Sequence, residues 1–255
     1  MRLIRFSTAN EPPQFGWVNK DMVGRIVGSP FGEYQRSEAN IPLGSVQLLA
    51  PVQPSKIICV GRNYAEHAKE TKSEVPTTPL LFLKPPSAVI APQQTITLPP
   101  QSQQVEHEAE LVVVIGKRGR WISPEEASKH ILGFTIGNDV TARDLQNKDL
   151  QWTRSKGFDT FCPLGPWIET EFKPVDVMIT CHVNGELRQM ASTHDMVFHI
   201  EQLVAFASSI MTLEPGDILM TGTPAGVSPL HPGDIVEITI EGIGKLSNPV
   251  ATEIR

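Results

Sequence analysis

The segment VEHEAELVVVI (105–115) constrains this chain more than any other. Its second half, Leu111 to Ile115, has the composition of a strand buried on both faces. Its first half places Glu106, Glu108 and Glu110 at every second position. Side chains of a strand alternate between faces, so the three carboxylates are expected on one face, neighbours roughly 6 to 7 Å apart. Gathering like charges on a buried strand is costly unless something positive sits among them. A hard divalent cation meets that need, because Mg²⁺ or Mn²⁺ takes oxygen ligands, keeps several waters and uses a few carboxylates with substrate oxygens. The alternative is a solvated edge strand whose acids face water.

Length and composition narrow the class. The chain has 255 residues, room for one large domain or a main domain with an appendage. Proline contributes 22 of them, well above the usual share of roughly 5%, which points to turns and short strands rather than a helical bundle. A net charge of −6 with no basic run argues against a nucleic-acid surface. Cys59, Cys162 and Cys181 are odd in number and lack C-x-x-C spacing, so neither a disulfide framework nor a zinc site is indicated. The N-terminus lacks an apolar signal core and LVVVI is far too short to cross a bilayer. The expectation is a soluble cytoplasmic protein.

Punctuation along the chain predicts an α+β, mostly β architecture. Residues 1–50 read as a small β-rich domain, with Pro51 and Pro54 marking a linker into a main domain over 55–255. KIICVG (56–61) and LLFLK (80–84) read as strands. Between them Asn63 and Glu66 predict a capped short helix over Tyr64 to Glu70. Ser123, Pro124 and Glu126 predict a second capped helix ending before Gly133. FTIGNDVT (134–141) reads as a strand and 144–152 as helical. Asn184-Gly185 marks a type I′ hairpin. Ile200, Leu203, Val204, Ala207, Ile210 and Met211 follow helical spacing. The Pro-Gly-Asp turns at 215–217 and 232–234 each launch a strand, and IVEITI turns back through Gly242–Gly244 onto KLSNPVA.

Several polar residues are placed for chemistry. Asp139 sits on or just after a strand and can supply a third oxygen ligand beside Glu108 and Glu110, leaving about half an octahedron for water or substrate; its bland reading is a turn residue. His67 and Glu70 share one face of the short helix, where a carboxylate fixes the imidazole tautomer and raises its basicity. An exposed pair of little worth is the alternative. Lys156 lies among aromatics before a Pro-Leu-Gly-Pro loop and can bind a substrate carboxylate, or be an ordinary surface lysine. Arg62 and Arg143 follow strands and can reach either an anionic substrate or the acidic cluster. TGTPAG (221–226) offers backbone N–H groups suited to an anion, without the lysine of a P-loop.

Taken together and in order, VGRNYAEH, LFLKPPSA, HEAEL, GNDVTARD, SKGFDTFCPLGPW, VNGELRQ and PGDILMTGTPAGV resemble the fumarylacetoacetate hydrolase family from about residue 55 onward. The resemblance is closest to its short acylpyruvate hydrolase and oxaloacetate decarboxylase-like members. It implies a rolled, mixed β-sheet core, a homodimer and Mg²⁺ or Mn²⁺. It implicates Glu108, Glu110 and Asp139 as metal ligands, with Glu106 outside the motif as a solvent or second-layer group. By the same resemblance His67 and Glu70 match a water-activating lid dyad, Lys156 a lysine near the metal, and Gln146 and Thr223 substrate- or water-positioning groups. Arg62 and Arg143 occupy arginine positions. The expected activity is metal-dependent C–C cleavage of short 2-oxo acids, by acylpyruvate hydrolysis or oxaloacetate decarboxylation, through an enolate. The polar stretch 70–79 is expected to act as a lid. The rivals are a hydroxylated diene-dioate isomerase or decarboxylase of aromatic catabolism, and a non-catalytic scaffold.

Overall fold

The computed structural model describes residues 1–9 and 11–253. The acidic segment is not one continuous strand. Val105–Glu106 pairs with Thr141–Ala142 in a two-stranded ladder, pairing lapses at His107 and Glu108, and Ala109–Ile115 begins a new strand. That strand is buried along its whole length. Leu111, Val113 and Ile115 enter one core cluster, while Val112 and Val114 enter another. Burial on both faces is what the unbroken apolar run requires.

Around this strand the larger sheet runs in the order Leu80–Lys84, Ile57–Gly61, Ile218–Met220, Ala109–Ile115, Ile131–Asn138, Cys162–Glu169 and then the N-terminal strands. Ile57–Gly61 lies parallel to Ile218–Met220, and the other pairs on this path are antiparallel. The first 50 residues form a β-rich meander whose strand Arg2–Thr8 bonds to Cys162–Glu169, with Leu3 opposite Ile168. Their strands cover a sheet edge that would otherwise be bare. A second sheet of five strands contains Ile96–Leu98, Gly244–Thr252, Ile235–Ile240, Met178–Val183 and the edge strand Glu186–Ser192. The helix Ile200–Ile210 packs into the larger core through Ile200, Leu203, Val204 and Ala207. The fold is mostly β with few helices, as the turn chemistry predicts. Asn184 (φ 53°) and Gly185 (φ 80°) make the expected hairpin turn, and the three cysteines are free and buried. No helix among the described residues is long and apolar enough to cross a membrane.

Four local expectations need correction. The helix Ala65–Glu70 starts after Tyr64 with no side-chain cap. Asn63 is drawn away, its amide donating to the carbonyls of Phe198 and Thr221 and its oxygen accepting from Phe198 N–H. The segment Pro124–His130 is a 3-10 helix, and Ser123 makes no side-chain cap bond to it. That strand stops at Asn138, because Asp139 N–H turns to the Glu108 carbonyl. The helical stretch expected over 144–152 ends at Lys148, and a separate short helix, Thr153–Lys156, begins beyond it.

Candidate active site

Glu108, Glu110 and Asp139 converge: each offers an oxygen within 4.8 Å of the others, and all three are buried. Three local features bring them together. The lapse in strand pairing frees Glu108, whose backbone N–H is held by Asn138 Oδ1 at 2.9 Å. Asp139 sits where Ile131–Asn138 ends. Glu110 is fixed from the TGTPAG loop, its Oε2 accepting from Gly222 N–H at 2.8 Å. Gly222 has φ +94°, and a Cβ there would lie 2.8 Å from Asn63 Cβ, so the loop reaches the carboxylate only as glycine.

Cations are packed against two of the three acids. Lys156 Nζ donates to Glu108 Oε2 (2.9 Å) and Asp139 Oδ2 (2.7 Å), while Lys84 Nζ donates to Asp139 Oδ1 (2.6 Å). Arg143 spans Glu106 and Glu108 at 2.7 and 2.6 Å. Burial opposes ionisation of Glu108, but Lys156 and Arg143 outweigh it and hold the carboxyl well below the usual range. Burial opposes charge on Lys156 as well, and there Asp139 and Glu108 win and raise it. Glu110 behaves oppositely. Burial, then repulsion from Asp139 and Glu108, pushes it well above its ordinary value, and among the described residues it has no cationic partner. An all-oxygen, buried set with one uncompensated acid fits a hard divalent cation.

The cleft in front of these groups measures about 270 Å³, and Arg62, His67, Glu108, Asp139, Arg143 and Lys156 all line it. That is the small end of ligand pockets, roughly 300 to 1,000 Å³, and suits a short substrate. His67 is buried, with Nδ1 3.1 Å from Glu70 Oε2, leaving Nε2 as the other ring nitrogen. Glu70 is itself held by Gly226 N–H at 3.0 Å. The anions gripped by TGTPAG are thus the chain's own carboxylates, Glu110 and Glu70. Arg62 has φ +58°, an uncommon conformation for a side-chain-bearing residue, with its guanidinium 5.9 Å from the Trp152 ring centre. It makes no ion pair among the described residues, whereas Arg143 and Lys156 are both paired.

Residues 56–251 match the family model described as fumarylacetoacetate hydrolase C-terminal, and residues 1–51 match one described as Rv2993c-like, N-terminal. The chain belongs to the fumarylacetoacetate hydrolase family. Among its relatives, the oxaloacetate tautomerase FAHD2B, mitochondrial, of Bos taurus is 46% identical over 223 residues, spanning 82% of this chain and 71% of the relative. A 5-carboxymethyl-2-hydroxymuconate delta-isomerase from Mycobacterium smegmatis has a solved structure with TM-score 0.93 at 46% identity, covering 99% of this chain and 100% of its own. A maleylpyruvate hydrolase from Sphingobium sp. SYK-6, in complex with manganese (II) ion and pyruvate, gives TM-score 0.82 at 32% identity over 100% of both chains. Family members of this kind are enzymes, and the acidic cluster is a possible metal site of this one.

Several residues stand differently from their sequence reading. Glu106 is no solvent group: it is buried and accepts from Arg143 and Gln104. Arg143 is committed to the acids rather than free for an anion, and Gln146 accepts from it at 2.5 Å. Lys156 is buried between Glu108 and Asp139, which rules out the surface alternative and places it beside the candidate ligands. Thr223 lines the cleft, but its hydroxyl donates to the Ala109 carbonyl at 2.9 Å. Lys84 went unremarked. Its signal was a lysine closing the apolar strand LLFLK, where a buried charge demands a partner.

Proposed function

We propose that this chain acts on short 2-oxo dicarboxylic acids, such as oxaloacetate, through their enolates, with proton transfer at the carbon beside the 2-oxo group as its core reaction. One observation carries this reading: buried His67, with the exposed Glu70 on its Nδ1, lines the same small cleft as Glu108 and Asp139 of a carboxylate cluster short of one cation. The relatives named tautomerase and isomerase, each 46% identical, support proton transfer. A second reading, cleavage of the adjoining C–C bond by hydrolysis of an acylpyruvate or decarboxylation of oxaloacetate, draws on the maleylpyruvate hydrolase neighbour, solved with manganese and pyruvate.

Glu108, Glu110 and Asp139 would hold Mg²⁺ or Mn²⁺, which supplies a Lewis acid for the 2-oxo and carboxylate oxygens. The remaining work falls to side chains of this chain. Arg62, the unpaired cation, binds the distal carboxylate of the substrate. Glu70 accepts a hydrogen bond from Nδ1–H of His67, which leaves Nε2 as the free ring nitrogen. His67 Nε2 then takes the C3 proton and, as imidazolium, delivers it through water to the 2-oxo oxygen; the reverse passage returns it to C3, so that keto and enol forms interconvert with no net change of atoms. In the hydrolytic form of the cleavage reading the same nitrogen takes a proton from water as that water attacks the distal carbonyl; collapse of the adduct breaks the adjoining C–C bond, and the imidazolium proton goes to the enolate carbon released. Lys156 and Lys84 hold Asp139 in place, and Lys156 with Arg143 keeps Glu108 ionised.

The test is stopped-flow ultraviolet absorbance of oxaloacetate enol decay, with acetylpyruvate cleavage and pyruvate release followed in parallel, each with Mg²⁺ and with chelator. Mg²⁺-dependent enol–keto exchange without pyruvate supports the first reading, and pyruvate release supports the second. No acceleration above the chelated control on either substrate overturns both.

A further inference from the structure

Gln189 is fully buried on a strand whose neighbouring positions, Arg188 and Met190, are exposed. The strand is the edge of the five-stranded sheet and carries none of the groups assigned above. Its amide oxygen accepts from Ala109 N–H and from His107 Nδ1, both at 3.0 Å. Its amide nitrogen donates to Thr223 Oγ1 and to the Pro224 carbonyl, both at 2.7 Å. The orientation is unambiguous, since a backbone N–H can only donate and a carbonyl can only accept. Two lone pairs and two protons are therefore all in use. The rest follows: His107 is protonated at Nδ1, and its Nε2 accepts from Ser228 Oγ at 2.9 Å.

Each partner is one step from a functional group. Ala109 and His107 flank Glu108, and Ala109 precedes Glu110. Thr223 and Pro224 lie between Gly222, whose N–H holds Glu110, and Gly226, whose N–H holds Glu70. The same strand also presses on the loop directly. A Cβ on Gly226 would sit 2.0 Å from the Arg188 carbonyl oxygen, so the seat of Gly226 is set by the residue beside Gln189. Hydrophobic packing cannot do this work, because it fixes volume but not the direction of individual N–H groups.

We infer that Gln189 is a positioning residue that clamps the carboxylate strand to the TGTPAG loop and so sets the spacing between the acidic cluster and the His67–Glu70 dyad. The inference deepens the function proposed above and rests on it for its consequence in turnover. It does not rest on it for cation binding.

Gln189→Met keeps the side-chain length and removes all four hydrogen bonds. Calorimetric titration with Mg²⁺ alone should show the dissociation constant rising about 10- to 100-fold, and oxaloacetate exchange should lose about 10- to 100-fold in kcat with a smaller change in KM. A folded variant that melts earlier but keeps both constants within about two-fold of wild type overturns the inference, since that is all a purely structural residue would do. If the variant does not fold, amide hydrogen exchange on the wild-type protein decides. Mg²⁺ should slow exchange together in 107–110, 188–190 and 222–226, and protection confined to 107–110 overturns the clamp. The two claims fail separately. A wild type that exchanges no 2-oxo acid, with Mg²⁺ affinity still falling in Gln189→Met, removes the function and leaves the clamp; an active wild type with an unaffected variant removes the clamp alone.

Discussion

Replacing Lys156 with methionine takes away the cation shared by two of the candidate metal ligands while keeping most of the stem that fills the site. Its Nζ lies 2.9 Å from Glu108 Oε2 and 2.7 Å from Asp139 Oδ2, and its side chain is 3% exposed. At an effective dielectric of about 20, each contact attracts by about 6 kcal/mol before desolvation. Desolvation cancels much of that, and breaking a buried pair by removing one partner costs about 3–5 kcal/mol. The low end applies here, because Lys84 still holds Asp139 and Arg143 still holds Glu108. A loss of about 3 kcal/mol in a chain of this size lowers the melting temperature by about 6–12 °C. The loss should appear in chelator and shrink as Mg²⁺ is added, because a divalent ion supplies charge to the same two oxygens. Scanning calorimetry of both proteins across a Mg²⁺ titration measures it. A drop under about 3 °C in chelator, or an identical Mg²⁺ shift in variant and wild type, refutes the argument that Lys156 stabilises this pair as charge rather than as volume.

Three further outcomes follow from the same geometry. His67→Ala should lower kcat for enol–keto exchange by about 10²- to 10⁴-fold and leave Mg²⁺-induced stabilisation unchanged; loss of that stabilisation would place His67 among the cation ligands instead. Arg62→Met should raise KM for oxaloacetate by about 10- to 100-fold, the worth of one charged hydrogen bond, and affect a monocarboxylic 2-oxo acid much less in the same steady-state assay. Glu110 carries a pH signature. The fold raises its pKa, so the folded state keeps the proton to higher pH than the unfolded chain, and the associated stability is present below the ordinary glutamate value and lost as pH rises through the raised one. In chelator, wild-type melting temperature should therefore fall relative to Glu110→Gln as pH rises above the ordinary glutamate range, whereas parallel curves would contradict the burial of an unpaired acid.

Much of the site was legible because its residues break local rules. Acids inside an apolar strand are anomalous against the period of their element, and periodicity is what a sequence displays, whereas a His three residues from a Glu and an aspartate closing a strand are ordinary by themselves and take their roles from the family resemblance. What stayed hidden was pairing. Glu106 reads as the third member of an alternating face, but the chain breaks at His107 and Glu108, a lapse dictated by the Thr141–Ala142 ladder 35 residues on (106 to 141). Arg143 and Lys156 were visible as cations, yet nothing local says that each would be consumed by a carboxylate rather than left for substrate. Asn63 obeys every rule for a helix cap and still goes elsewhere, because Phe198 and Thr221 offer it three bonds. Gln189 sits in a hairpin strand of otherwise exposed residues, where one buried amide leaves no trace in composition.

The charge inventory gives the site its preference. Glu106, Glu108, Glu110 and Asp139 contribute four negative charges when ionised, and Lys84, Lys156 and Arg143 three positive ones, which leaves a buried excess of one negative. That excess sits on Glu110, the member held only by a backbone N–H. On the function proposed here, a divalent cation turns the excess into a single positive charge, and Arg62 at the rim of the cleft makes it two. A dianionic 2-oxo acid then brings the filled pocket to neutrality, whereas a monoanion leaves a net positive charge in the cleft. Burying an unbalanced charge costs far more than an imperfect steric fit. The same arithmetic explains why the lysines face the carboxylates and not the opening. Aimed outward, they would leave the acids unpaired before any ion or substrate arrived.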